Sequence, residues 1–132
     1  MIADTNVPLR ALDADAGRQA TAVRARIEAG RTTDARITVL AATVLEVAYV
    51  LESAATGYGW DRQDVARAID AIVNEPAFDV EYAEALAAGT ATYRSLSIDL
   101  HDCLLAAVAT RRGSRVLSFD ADLRKLEIGE KP

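Results

Sequence analysis

The sequence is poor in cross-linking, membrane-spanning and basic features. Its one cysteine, Cys103, cannot form an internal disulfide, so a reducing, cytoplasmic setting is expected. No run approaches the roughly twenty uncharged apolar residues of a membrane span. No basic region leads into a long apolar one at the start, so no secretory signal is expected. His101 is the only histidine, and no serine–histidine or cysteine–histidine arrangement offers nucleophilic catalysis. Lysine is scarce too: 13 of the 15 basic residues are arginine, leaving Lys125 and Lys131. Arginine suits bidentate phosphate contacts, but codon preference explains the bias equally well, and it decides nothing. A net charge of −5 argues against bulk attraction to nucleic acid. It still permits acids gathered in one pocket, where divalent cations neutralise them and then meet phosphate. Internal repeats, linkers and low-complexity tracts are missing.

The 132 residues, 51% apolar and 27% charged, are those of one globular domain, 1–132, able to bury a substantial core. Met1 to Asn6 reads as a short strand buried in a sheet, with Asp4 at its carboxyl end. Asp4 reads equally well as a cap on the helix that follows. Helices are expected over Val7–Leu12 and from Arg18 to a stop at Gly30, separated by a turn over Asp13–Gly17. Ile37–Leu40 is a second strand. A helix from Thr43, or from near Ala41, then runs to about Thr56 with Val44, Val47, Ala48, Leu51 and Ala55 as its apolar stripe. Thr43-x-x-Glu46 has the spacing of a capping box. After a break at Thr56–Gly59, Asp61 is expected to cap a helix over Arg62–Val73. Tyr58 and Trp60 suit core or a subunit contact better than a base-stacking platform. Phe78–Val80 is a third strand, and Glu81–Ser95 is a helix interrupted by Gly89. Asp99 is a plausible N-cap of a helix ending at Gly113, with Asp102 in its first turn. Arg115–Ser118 is a fourth strand and Asp120 follows it, as Asp4 follows the first. Beyond Leu126 the chain reads as a frayed tail or the stub of an edge strand.

Strands alternating with helices imply a three-layer α/β domain with a mostly parallel sheet. In such folds strand ends and the following helix starts gather on one edge. Asp4, Asp102 and Asp120 fall at those places, and Glu46 lies near the start of a helix that follows a strand. Crowded carboxylates repel unless a cation sits among them. Oxygen donors without cysteine or histidine partners favour Mg²⁺ or Mn²⁺ over zinc, and such ions can assist in-line attack of water on a phosphodiester. Two other classes stay open. One is an aspartyl phosphatase or a receiver-type phosphate acceptor using Asp4. The haloacid-dehalogenase pattern expects an aspartate where Asn6 stands, however, and a receiver expects paired early acids and a late lysine near Asp120. The other is a catalytically silent protein-binding module whose acids only cap helices.

The order Ala3-Asp4-Thr5-Asn6, Val44-Leu45-Glu46-Val47, Asp99-Leu100-His101-Asp102-Cys103-Leu104-Leu105-Ala106-Ala107 and Ser118-Phe119-Asp120 resembles the PIN-domain family, and more closely its VapC-type toxins. The resemblance implies a sheet of four to five short strands flanked by about seven helices. It implies an Mg²⁺- or Mn²⁺-dependent endoribonuclease, the toxin of a toxin–antitoxin pair, acting on RNA and held inactive by a cognate antitoxin. Asp4, Glu46, Asp102 and Asp120 match the family's acidic quartet. Asp4, Asp102 and Asp120 would hold metal, and Glu46 would position a water or a second ion. Asp99 and Asp122 match auxiliary acids, and Thr5, Asn6 and Ser118 match small polar positions. A homodimer is implied, with an antitoxin tail covering the crevice and offering an arginine to the acids. Ser118 stands where threonine is common, and the last strand looks cut short.

Overall fold

The computed structural model describes residues 1–13 and 17–132. The expected turn over Asp13–Gly17 therefore lies largely outside the described residues. Seven α-helices and four short strands are present among them, and every strand pairing is parallel. The chain forms two compact units, Met1–Glu81 and Tyr82–Pro132.

In the first unit, α1 (Asn6–Leu12), α2 (Arg18–Thr32), α3 (Ala41–Glu52) and α4 (Arg62–Val73) accompany β1 (Ile37–Val39) and β2 (Phe78–Val80). The strands pair with Ile37 opposite Phe78 and Val39 opposite Val80. All four of those side chains are buried, as expected of a short apolar run inside a sheet. Val44, Val47, Ala48 and Leu51 of α3 and Val65, Ile69 and Ile72 of α4 are buried too, one apolar stripe on each helix. Asp61 caps α4 by accepting the Asp64 N–H at 2.8 Å, as its sequence position predicts.

Three expectations are corrected here. The opening strand shrinks to a single bridge from Ile2 to Thr38, and only Ala3 is buried while Ile2 stays 65% exposed. Gly30 does not stop α2, which runs on to Thr32. A Cβ at Gly30 would lie 3.0 Å from that of Ala77, so glycine is needed for close approach rather than for a left-handed turn. Ala55 is exposed because α3 ends at Glu52 and a 3₁₀ turn, Ala54–Thr56, follows.

Arg31 clasps Glu75 at 2.8 and 2.6 Å, which ties α2 to the loop before β2. The guanidinium's hydrogen bonds hold the Glu75 carboxyl below its ordinary value. A lowered folded-state pKa adds stability above the unfolded value of 4.5 and loses it as pH falls through the folded value. Glu75→Gln should therefore be less stable than the parent at pH 7 and indistinguishable from it in strong acid, as urea midpoints across that range would show.

The second unit holds α5 (Ala83–Ser95), α6 (Leu100–Arg111), β3 (Val116–Leu117), α7 (Ala121–Lys125) and β4 (Gly129–Glu130). The tail is thus a strand stub, with Gly129 opposite Val116 and Glu130 opposite Leu117. Gly89 explains how α5 and α6 pack. A Cβ there would stand 3.2 Å from the Cys103 carbonyl carbon and oxygen, so the missing side chain lets the two helix backbones approach. Gly89→Val should lower stability by about 1–3 kcal/mol through overpacking, even after the helix-propensity gain over glycine. Thermal melts would check this, and an unchanged midpoint would mean that α6 yields freely.

Candidate active site

In the first unit, Asp4 does act as a cap. Its Oδ1 accepts the N–H groups of Asn6 at 3.0 Å and Val7 at 3.3 Å, fixing the carboxylate at the start of α1. The neighbouring Thr5 hydroxyl donates a hydrogen bond to Glu46 Oε2. Residues 41 positions apart in sequence are thereby brought together. Glu46 does not complete a capping box, because α3 begins at Ala41, ahead of Thr43. That earlier start carries Glu46 beyond the first turn, where its side chain is exposed. Glu81, not singled out from sequence, instead accepts the Ala41 N–H through Oε2 at 2.9 Å. The only signal for it was an acid directly after a strand. Asn6 is exposed and enters these contacts through its backbone N–H.

In the second unit, Asp99 caps α6 by accepting the His101 N–H at 2.7 Å. Asp102 follows in the first turn with its side chain 18% exposed. Ser118 Oγ accepts the Asp120 N–H at 2.9 Å, and Asp120 Oδ1 accepts the Asp122 N–H at 2.8 Å. A serine hydroxyl serves this turn as a threonine hydroxyl would. Lys125 Nζ reaches Asp122 Oδ1 at 2.6 Å. This partner was not foreseen from sequence, and Asp122 raises the lysine's pKa. His101 is 60% exposed on the side chain, 3.7 Å from Asp102, in keeping with a solvated histidine.

Electrostatics single out Asp102. Burial pushes its carboxyl above the ordinary value, and the charges of Asp120, Asp99 and, least, Asp122 push it further, against an opposing pull from His101. The structure thus keeps a carboxylate in a place that disfavours its charge. Such a donor gains from a cation, and all-oxygen donors suit a hard divalent one. Among the described residues, neither unit by itself gathers three histidine, cysteine or acidic side chains into a group that could hold a metal. The chemistry of the donors, rather than a completed ligand set, is what fits Mg²⁺ or Mn²⁺.

No helix among the described residues is long and apolar enough to cross a membrane. The family model described as PIN domain matches residues 1–129. The chain is also similar to a VapC ribonuclease of Aquifex aeolicus (strain VF5), with 30% identity over 84 residues. That match spans 63% of this chain and 60% of the relative's length.

Proposed function

The chain belongs to the PIN-domain family, and from that premise we propose that it is a metal-dependent endoribonuclease of the VapC type. It is the toxin of a toxin–antitoxin pair, cytoplasmic, dimeric, and silenced by a cognate antitoxin. One observation carries the reading: Asp102 is held in a partly buried position among Asp99, Asp120 and Asp122, where its negative charge is disfavoured. A fold tolerates such repulsion where a cationic ligand relieves it. The similarity to a VapC ribonuclease supports RNA as the polymer.

In this reading Asp4, Asp102 and Asp120 would hold Mg²⁺ or Mn²⁺. The bound ion would supply charge neutralisation for the attacked diester. The chain's own residues do the rest. Glu46 Oε2 is engaged by the Thr5 hydroxyl, which leaves Oε1 to orient the attacking water and accept its proton. Asp99 and Asp122 act through position. Asp99 fixes the first turn of α6 beneath Asp102, and Asp122, through its N–H, fixes the Asp120 carboxylate. Asn6 and Val7 hold Asp4 through their N–H groups, and Ser118 steadies the turn that presents Asp120.

The phosphatase and receiver readings lose ground. Both lack residues their chemistry needs: Asn6 stands where the phosphatase pattern has a second aspartate, and Asp120 stands near where a receiver has its lysine. Purified, antitoxin-free protein incubated with total RNA should yield discrete cuts with Mn²⁺ and none with EDTA. Intact RNA in both would remove the nuclease reading.

A further inference from the structure

We propose that the groove between the start of α5 and the end of α6 is a subsite for single-stranded RNA, with Tyr82 stacking on a base and Arg112 holding a phosphate. The inference rests on the ribonuclease reading and adds where the strand is gripped away from the bond that is cut.

The groove encloses about 330 Å³, and Tyr82, Ala83, Val108, Arg111 and Arg112 are among the residues that line it. Tyr82 has φ 56° and ψ 32°, the left-handed region that bulky residues rarely adopt. The residue is nevertheless 46% exposed. Neither backbone preference nor core packing accounts for a tyrosine there, and strain held at an exposed aromatic points to a contact with a ligand. An aromatic face beside an arginine is how sequence-tolerant single-strand sites hold bases and phosphates.

Charge narrows the occupant. The protein carries −5 overall, yet two adjacent arginines line this groove. Glu84, also on the groove wall, pairs with Arg111. Arg112 lies 3.5 Å from the Tyr82 hydroxyl and is the cation placed to meet an anion beside the ring. A polyanion with planar bases matches this pairing of ring and guanidinium. Position fits as well: Asp99 and Arg112 bracket α6, about 20 Å apart along its axis. A strand gripped at Arg112 would have to extend a few nucleotides to reach the acids at the other end of the same helix.

The test is fluorescence anisotropy with a fluorescein-labelled oligouridylate on the full chain in EDTA, which prevents cleavage. Tyr82→Leu and Arg112→Gln should each weaken binding about tenfold, and Tyr82→Phe should bind like the parent, because stacking needs the ring and not the hydroxyl. Arg112→Gln should also flatten the salt dependence by about one counterion. Circular dichroism guards against misfolding of Tyr82→Leu, and the exposed Arg112→Gln carries the test if that variant unfolds. Parental affinity in both variants overturns the subsite while leaving the nuclease reading intact, provided the parent cuts RNA with Mn²⁺. A changed sedimentation coefficient with unchanged RNA affinity would make the groove a contact between copies and overturn the proposal. A parent that neither binds nor cuts RNA would end both readings.

Discussion

Asp102→Asn should melt higher than the parent in EDTA and yet cut RNA at least about a hundredfold more slowly. The two effects share one cause. Asp102 is partly buried and faces the charges of Asp120, Asp99 and Asp122, so its folded-state pKa lies above the unfolded 3.8. A raised carboxyl pKa favours folding below the unfolded value, and that contribution is lost as pH rises through the folded value. At pH 7 the ionised group therefore opposes folding, and a neutral isostere of the same size removes the opposition. The helix dipole works the other way, since a negative charge in the first turn of α6 is favourable. Burial and the charges of three neighbouring acids act together against it. A gain of about 1 kcal/mol would raise the melting temperature by about 3–5 °C, and the advantage should vanish when the melts are repeated near pH 3. A lower melting temperature for Asp102→Asn at neutral pH would mean that the side chain contributes structure rather than strain.

Millimolar Mn²⁺ should stabilise the parent strongly. A ligand at a hundred times its dissociation constant adds about 2.7 kcal/mol, or about 10 °C in a domain of this size. Asp4→Asn should lose most of that shift together with its cleavage, while keeping its far-ultraviolet spectrum. Asparagine retains the side-chain oxygen that caps α1 through Asn6 and Val7, so folding is spared while a charged donor is removed. The pairing matters because stability and activity are read independently. Cleavage lost with the Mn²⁺ shift intact would move Asp4 from metal binding to another step. A parent with no shift at all would remove the assembled metal site.

Much of the local architecture was legible because capping is local. Asp61 and Asp99 sit two or three residues from the N–H groups they accept, within reach of any reading of adjacent residue types. Asp4 and Asp120 show the same short reach, which is why Asp4 carried a capping reading beside a catalytic one. Glycine was harder. Gly113 and Gly57 adopt positive φ after a helix and a 3₁₀ turn, as a breaker should, whereas Gly30 and Gly89 lie inside helices that continue past them. The residue type is identical in both uses. What differs is Ala77 beside Gly30 and the Cys103 backbone beside Gly89, and neither neighbour is near in sequence. The Glu46 capping box failed for a related reason. Its spacing was sound, but Glu81 supplies the start of α3 from 40 residues away.

The order of residue types was enough to settle the α/β class, the capped starts of α4 and α6 and family membership, since each depends on short-range hydrogen bonding or on a motif read along the chain. Two decisions belonged to the folded chain alone: that the Thr5 hydroxyl engages Glu46, and that Asp102 is the acid whose charge is disfavoured. Hydrogen bonds between distant residues, and a pKa set by burial and through-space repulsion, depend on separations in space, which no spacing in the sequence records.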